Sequence, residues 1–323
     1  MSEPRFDVST FGEALLRLSV QSGERLERMR SLDVSVGGAE ANVAVALARM
    51  GLRAAWLSRL PRSALGRLVE RTLYGHGVDT SHVAWIDDGR VGTYFIEYAS
   101  APRRIEVVYD RANSAAATMT SADLDWDALL DTRMLHLTGI TPGLSPTCAM
   151  LTEEACRRAQ RAAVPVCIDV NYRAKLWTAS AAAETLLPLM RMAQVVICGR
   201  KDAATLFGLD DEPETVLRAL RDKVGSQTVI LTLGDEGSIA LDEDASLVYQ
   251  PALPCDVVDR IGAGDAFSAG VLCGILEGSL ATGLRYGTAM AAHKLTTFGD
   301  MLNATRDEVL ALLAGAGDNR PMR

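Results

Sequence analysis

The sequence is poor in cysteine, histidine and aromatic residues, and no two cysteines are spaced as C-x-x-C. The four histidines lack the spacing of a metal site, so each is expected to be structural. The six cysteines lie mostly in apolar surroundings, which favours buried free thiols over disulfides or zinc ligands. Free thiols fit a reducing compartment, so we expect a cytoplasmic protein.

A positive net charge and long apolar runs are also missing. The formal net charge is −8, and this disfavours nucleic-acid binding, which needs a clustered cationic surface. An anionic substrate is still possible because a local cationic pocket suffices. No segment approaches the ~20 consecutive apolar residues that cross a bilayer, and the first residues lack a signal-peptide run. We therefore expect neither a nucleic-acid partner nor a membrane partner.

The chain has enough length and apolar content for a large core. Its 323 residues are 48% hydrophobic, and no internal repeat or low-complexity linker divides them. From Leu129 onward, predicted strands and helices alternate, which is typical of α/β proteins with a parallel sheet. Asp169, Asn171 and Arg173 follow the end of one core strand, where open α/β sheets bind their ligands. The alternative for Asp169 and Asn171 is a structural role in capping the loop.

The segment 257–274 carries the strongest functional pattern, V-V-D-R-I-G-A-G-D-A-F-S-A-G-V-L-C-G. Gly262, Ala263 and Gly264 predict a turn that aims backbone N–H groups outward at the positive end of a following helix. A carboxylate at Asp265 is electrostatically unfavourable in such an anion site, which indicates a proton acceptor. The alternative is an aspartate that caps a helix after a glycine turn.

A second glycine pair precedes an Ala-rich helix predicted to end near Gly51. Gly37 and Gly38 would let the backbone approach a ligand, and Asn42 offers both a donor and an acceptor one turn into the helix. The alternative is a glycine pair that serves helix packing and a core asparagine with its hydrogen bonds satisfied.

Two further segments, about residues 15–36 and 92–112, predict a small sheet outside the main domain. The first is irregularly amphipathic, which favours exposed strands over core strands. The second predicts a hairpin that breaks at Ala101-Pro102. Tyr109 and Arg111 lie two apart and share one face of a strand, where they could hold a carbonyl and a carboxylate. The alternative is an ordinary surface aromatic–arginine pair.

These motifs resemble those of the ribokinase-like (PfkB) carbohydrate kinases. D-x-x-G-A-G-D-A-F resembles their C-terminal signature, and G-G-x-x-x-N before A-x-x-L-A-x-x-G resembles their N-terminal one. G-G-A-E-A-N-V-A, Y-x-R-x-x-S-A-A and N-Y-R-A-K-L-W are most similar to the 2-keto-3-deoxygluconate kinases of that family, whose substrate is an acid.

The resemblance implies a three-layer α/β sandwich with a mostly parallel central sheet and a β-sheet lid, in one kinase domain over residues 1–315 with a tail at 316–323. It implies ATP and Mg²⁺ as cofactors, leaves a monovalent cation open, and suggests a homo-oligomer formed through the lid. The implied roles fall into four groups. Catalysis is assigned to Asp265 with the turn Gly262, Ala263 and Gly264; substrate binding to Gly37, Gly38, Asn42, Tyr94, Tyr109, Arg111, Arg173 and Asp300; nucleotide binding to Thr232, Gly234, Gly237 and Asp259; and indirect metal binding to Asp202.

One motif departs from the family pattern. Where the family usually carries N-x-x-E, this chain has Gly199 and Asp202, so a carboxylate is kept and an amide is lost. The expected activity is phosphorylation of 2-keto-3-deoxygluconate. A neutral-sugar kinase such as a fructokinase, or a catalytically silent sugar-binding protein, are the alternatives. A dinucleotide-dependent oxidoreductase is disfavoured because no G-x-G-x-x-G follows the first strand.

Overall fold

The computed structural model describes residues 3–99 and 102–315. The strands are β1 (Phe6–Phe11), β2 (Leu15–Ser19), β3 (Asp33–Gly37), β4 (Ala54–Leu57), β5 (Arg59–Pro61), β6 (Ala84–Ile86), β7 (Gly92–Glu97), β8 (Glu106–Asp110), β9 (Thr132–Thr138), β10 (Val166–Asp169), β11 (Val195–Gly199), β12 (Thr228–Thr232), β13 (Ser238–Leu241) and β14 (Leu247–Gln250). The predicted tail at 316–323 and Ala101 of the predicted hairpin break lie outside the described residues.

The α-helices are α1 (Ala39–Arg49), α2 (Ala64–Gly75), α3 (Trp126–Leu130), α4 (Pro146–Arg161), α5 (Ala179–Met190), α6 (Arg200–Phe207), α7 (Pro213–Val224), α8 (Ala263–Leu276), α9 (Leu280–Leu295) and α10 (Arg306–Leu313). Several begin at residues typical of helix N-termini. The side chain of Ser145 accepts a hydrogen bond from the backbone N–H of Cys148 at the start of α4, and Thr305 forms a capping box with Glu308 at the start of α10.

The central sheet has eight strands in the order β14-β13-β12-β11-β10-β9-β1-β4. All neighbours from β4 to β12 pair in parallel, and β13 and β14 add an antiparallel hairpin at one edge. The parallel strands are apolar on both faces because helices cover both faces, as is usual for parallel sheets.

Two hydrophobic clusters separate the sheet from the two helix layers. Leu47 of α1, Leu272 of α8 and Leu284 of α9 belong to the cluster on one face. Leu186 of α5 and Leu217 of α7 belong to the cluster on the other face. The expected three-layer α/β architecture with a mostly parallel sheet is confirmed, and the polar carboxyl ends of the parallel strands meet at one edge.

A separate four-stranded sheet has the order β3-β2-β7-β8 and lies within the two predicted lid segments. We call these four strands the lid. The expectation that the first segment consists of exposed strands is wrong for β2, because Leu15, Leu16 and Arg17 are all buried. β2 lies between β3 and β7, so both of its edges are hydrogen-bonded to other strands. The positive charge of Arg17, in the middle of this strand, has buried acidic partners that are described below.

The cysteines and the lengths of the helices also bear on the expectations from the sequence. Five of the six cysteines are buried and all six are free, in agreement with the expected structural thiols. Within residues 3–99 and 102–315, no helix is both long enough and apolar enough to span a membrane.

Candidate active site

A cavity of about 750 Å³ lies between the lid and the carboxyl-end edge of the central sheet. It is lined by residues from both parts, among them Gly38, Asn42, Tyr94, Tyr109, Arg111, Arg173, Lys175, Gly262, Asp265 and Asp300. A larger hollow of about 1010 Å³ beside α3 and α4 is lined by surface residues such as Glu153 and Arg157 and contains none of the predicted site residues. We therefore place the candidate active site in the smaller cavity, which is walled on two sides and brings the motifs together.

The glycine turn begins α8, as the sequence predicts. Gly262 is the residue before the helix and has a φ of 86°, and a β-carbon there would collide with the backbone carbonyl oxygen of Asp300. Glycine is therefore required on both backbone and packing grounds. A β-carbon at Gly264 would meet no atom within 4 Å, so the space beside the first turn of α8 stays open. The first N–H groups of a helix carry partial positive charge, and this turn can therefore stabilise an anion.

Asp265 lies in the first turn of α8 and is almost completely buried. Asn42 donates a hydrogen bond of 2.7 Å from Nδ2 to one carboxylate oxygen, and Asn171 approaches the other at 3.4 Å. Burial raises the pKa of Asp265 to about 6, while the hydrogen bond from Asn42 and the charge of Arg173 lower it. A carboxylate with this pKa is mostly ionised at neutral pH and is basic enough to accept a proton.

The predicted strand-end residues surround this carboxylate. Asp169 ends β10 and accepts a hydrogen bond from Ser268 of α8. Burial raises the pKa of Asp169, and the nearby charge of Asp265 adds to the effect. The charge of Arg173 lowers the pKa values of both Asp169 and Asp265. Arg173 is exposed and lines the cavity, where it can reach an anionic ligand.

A pH dependence follows from the raised pKa of Asp265. The proton acceptor is active only when ionised, so kcat/KM is expected to fall as the pH drops through about 6. Replacing Asn42 with leucine removes a hydrogen bond that favours the carboxylate, and should move this limb to higher pH. Initial rates measured from neutral to acidic pH test the position of this limb in the wild type and its shift in the Asn42 variant. A limb near the ordinary aspartate value of 3.8 would contradict the burial argument.

Two tyrosines of the lid, and Arg111 directly after β8, line the cavity. Tyr94 of β7 and Tyr109 of β8 are cross-strand partners, and their rings stack with centroids 5.6 Å apart. Arg111 lies 5.5 Å from the centre of the Tyr109 ring and donates from Nε to Glu13 at 2.7 Å. One terminal nitrogen of Arg111 also bonds Glu13, which leaves the other terminal nitrogen outside that pair. Lys175, from the loop after β10, donates to the carbonyl of Val107 in the lid.

Asp300 lines the cavity and is held by two lid residues. Tyr94 donates its hydroxyl to one carboxylate oxygen, and Arg17 of β2 donates to the other. Burial is the main cause that raises the pKa of Tyr94 well above its usual value, so its hydroxyl remains a donor. A β-carbon at Gly37 would collide with the Asp300 carboxylate, so the first glycine of the pair makes room for this acid.

Asp259, predicted to bind nucleotide, is completely enclosed by protein. Its carboxylate accepts hydrogen bonds from Arg17, the Tyr98 hydroxyl and the backbone N–H groups of Ile261 and Gly299. The geometry therefore supports a role in holding the turn before Gly262, and it gives no support to direct nucleotide contact by this carboxylate.

The other predicted nucleotide residues lie at the end of β12 and in the turn that follows it, and they do not line the cavity. Thr232 ends β12 and is the register partner of Gly199 at the end of β11. A β-carbon at Gly199 would lie 3.7 Å from both the Thr232 hydroxyl and an oxygen of Asp202, so the missing side chain leaves a small polar space. Gly234 and Gly237 lie in the turn that joins β12 to β13. Burial raises the pKa of Asp202, and its carboxylate accepts a hydrogen bond from the backbone of Tyr172.

Several functional residues were not predicted. Arg17 pairs with Asp300 behind the cavity wall, Lys175 lines the cavity, and Glu13 orients Arg111. Glu40, within the G-G-A-E-A-N motif, is buried and accepts hydrogen bonds from two threonine hydroxyls, which places the start of α1. The sequence offered a weak signal for two of these residues. Arg17 is a charge inside an otherwise apolar strand, and Lys175 is a cation two residues after Arg173.

Comparison with known proteins agrees with this geometry. Residues 5–306 match the model of the pfkB family of carbohydrate kinases. The chain belongs to this family. A 2-dehydro-3-deoxygalactonokinase of Haloferax volcanii is 41% identical over 311 residues, which cover 96% of this chain and 97% of the relative. A 2-dehydro-3-deoxygluconokinase of Bacillus subtilis is 30% identical over 97% of this kinase and 96% of its own length.

Solved structures agree on the fold. The crystal structure of a 2-dehydro-3-deoxygluconokinase from Thermotoga maritima superposes with a TM-score of 0.90 at 34% identity, covering 95% of this chain and 98% of that one. This kinase is therefore a phosphotransferase of the carbohydrate kinase class with a ribokinase-like fold. The family match over residues 5–306 includes the lid strands and the G-A-G-D turn.

Proposed function

We propose that this kinase transfers the γ-phosphoryl group of ATP to a hydroxyl of a 2-keto-3-deoxy sugar acid, with 2-keto-3-deoxygluconate or its galactonate epimer as substrate. The observation that carries the proposal is the set of three cationic side chains, Arg111, Arg173 and Lys175, that lines the same cavity as Asp265. The phosphate groups of ATP account for part of this charge, and a neutral sugar has no need of Arg111, the cation on the lid side of the cavity. The sugar-acid kinases among the relatives support the same substrate class.

Asp265 is the general base of the proposed reaction. It accepts the proton of the attacking hydroxyl, whose oxygen forms a bond to the γ-phosphorus as the bond to the ADP oxygen breaks. Asn42 holds the carboxylate in place through its 2.7 Å hydrogen bond. The N–H groups of Ala263 and Gly264 stabilise the negative charge on the moving phosphoryl group, because they are fixed at the positive end of α8.

The donor set of this chain fits magnesium that is carried by ATP. Within the described residues, no group of three or more His, Cys, Asp or Glu side chains could hold a metal alone. Mg²⁺ commonly binds nucleotide phosphates with only one or two protein carboxylates, and Asp202 offers one, facing the space beside Gly199. When bound, Mg²⁺ neutralises phosphate charge. Thr232 and the turn of Gly234 and Gly237 are the proposed ATP contacts.

Substrate recognition is assigned to the lid side of the cavity. Arg111 binds the substrate carboxylate, and Glu13 fixes the angle of its guanidinium. Tyr94, Tyr109 and Asp300 contact sugar oxygens. Arg173 lines the same cavity as Asp265, and we assign it to the transferring phosphate.

A coupled assay of ADP formation over a panel of sugars and sugar acids tests the proposal. The panel contains 2-keto-3-deoxygluconate, its galactonate epimer, fructose and ribose. Turnover of the two keto-deoxy acids with little turnover of neutral sugars is expected. Preference for fructose would favour the neutral-sugar alternative. Inactivity on every compound with retained sugar-acid binding would favour the silent alternative, which the glycine at position 199 suggests.

Arg111 separates acid recognition from sugar recognition. Replacing Arg111 with methionine, in a chain that also carries Glu13→Gln to avoid a buried unpaired carboxylate, should raise KM for the sugar acid. A hydrogen bond to a charged group contributes about 1.5–3 kcal/mol, so the increase should be roughly 10- to 150-fold. Glu13→Gln alone is the matched control. An unchanged KM in the double variant would exclude Arg111 as the carboxylate contact.

Self-association through the lid and a cytoplasmic location stay predictions. Val34 and Val108 of the lid are exposed, and so is Ile105 beside it. A second copy of the chain could cover these apolar side chains. Light scattering after size-exclusion chromatography measures the oligomeric state.

A further inference from the structure

Lys294 is a charged side chain buried in the interior beside the catalytic turn. It lies in the last turn of α9 and is completely inaccessible to solvent. Its ammonium group donates to the backbone carbonyl of Asp259 at 3.0 Å and to that of Thr297 at 3.2 Å. Both partners are main-chain oxygens, and the proposed reaction assigns no role to this amine.

Burying an ammonium group is unfavourable, and an apolar residue in an interior helix would avoid the cost. Burial and the charge of Arg17 lower the pKa of Lys294, and the carboxylates of Asp259, Asp300 and Asp265 act in the opposite direction. Arg17 itself pairs with two of these acids, Asp259 and Asp300. The acids on this side of the cavity therefore favour a cation at this position.

The contacts of Lys294 lead directly to the anion-binding turn. Asp259 accepts from Lys294 through its main-chain oxygen and from Ile261 N–H through its carboxylate, and the next residue is Gly262. The N–H groups of Val258 and Asp259 donate to the carbonyl of Leu295, at the end of α9. The ammonium group thus joins the end of α9 to the segment that enters the G-A-G-D turn.

We propose that Lys294 acts as a covalently attached monovalent cation, so that this kinase needs no dissociable K⁺ or NH₄⁺ to order its anion-binding turn. Clustered carbonyl oxygens are the ligands that bind K⁺ in proteins, and an ammonium group of similar size can take the same place. The inference rests on the proposed kinase activity and answers the question of monovalent cation use for the same site. Lys294 is a positioning residue, since it acts through the backbone of Asp259.

The wild-type arm of the test compares rates in potassium, ammonium and tetramethylammonium chloride at equal ionic strength. Equal rates are expected in all three salts, because the site already holds its cation. A marked activation by potassium or ammonium would overturn the proposal. This arm requires no variant, so activation by either ion would overturn the proposal even if substitutions at position 294 fail to fold.

Two variants form the second arm. Lys294→Ala opens the site and should lower kcat by roughly 10-fold or more, with a smaller change in KM, because a charge-assisted contact is lost. Potassium or ammonium should restore part of this rate. Lys294→Met fills the site with an apolar chain, so its loss should not respond to either ion. Lys223→Ala, on the outer helix α7, is the control for loss of a lysine.

A measurement without catalysis separates this inference from the proposed function. The midpoint of thermal unfolding of Lys294→Ala should rise with potassium or ammonium relative to tetramethylammonium, while that of the wild type should not. If the wild type phosphorylates no sugar but the ion-specific shift of the unfolding midpoint occurs, the proposed function is contradicted and the proposed cation site is supported. If Lys294→Ala folds with unchanged kcat, or loses activity with no ion-specific recovery or shift, the proposal is overturned.

Discussion

Replacing Asp265 with asparagine is expected to lower kcat at least ~10²-fold and to leave KM for the sugar largely unchanged, because a general base contributes about 10²- to 10⁴-fold. The asparagine has nearly the same shape, so the cavity and the first turn of α8 should remain intact. It cannot accept the hydroxyl proton at neutral pH. Steady-state kinetics on the preferred sugar acid, with binding measured separately by calorimetry, checks both parts of this expectation.

Asp307→Asn is the matched control, because this aspartate lies exposed in the first turn of α10. It should leave both kinetic constants unchanged. The residual activity of the Asp265 variant should also lose the acid limb near pH 6, since the group that titrates there is gone. Wild-type turnover in the variant would remove Asp265 from its proposed role.

The largest expected effect on stability comes from Arg17. Its side chain is 1% exposed, and it forms ion pairs with Asp259 and Asp300, whose side chains are 0% and 6% exposed. Removing one partner of a buried ion pair costs about 3–5 kcal/mol, because the remaining charge is left uncompensated. Arg17→Met should therefore lower the free energy of unfolding by about this amount, measured by urea denaturation followed by circular dichroism.

Arg157→Met is the control for this substitution, because Arg157 forms an exposed ion pair with Glu153 in the same helix and should change stability by at most ~0.5 kcal/mol. Adding Asp259→Asn and Asp300→Asn to Arg17→Met removes the buried charges and should recover part of the loss. Equal effects of Arg17→Met and Arg157→Met would contradict the account of a buried charge network.

The local motifs were predictable because their chemistry depends on neighbours in the sequence. A glycine before an aspartate and a run of small residues specifies a turn and a helix, and the structure places both at residues 262–276. Asn42 lies one turn into the predicted helix, and the structure brings it to within 2.7 Å of Asp265. The Ala-rich helix before Gly51 and the alternation of strands and helices after Leu129 followed from helix propensity and apolar patterns in the same way.

Contacts between distant segments were not predictable from one sequence. Arg17 and Asp300 are 283 residues apart, and no local pattern indicates that they meet. The charge in β2 made that segment resemble an exposed strand, while the folded chain surrounds it with two acids and a tyrosine. Asp259 belongs to a recognisable motif, yet its burial against Arg17 changes the role that its carboxylate can take.

The layered α/β fold, the glycine turn with its aspartate and the kinase class could be predicted without coordinates, because they follow from short-range geometry and from motifs shared with a known family. Tertiary structure decided which charges are free to act. Only the folded chain shows that Arg111 is oriented by Glu13, that Arg17 neutralises two acids and that the ammonium of Lys294 lies beneath the catalytic turn. The reason is that the free energy of a charge depends on its burial and its partners, and both are set by segments far apart in the chain.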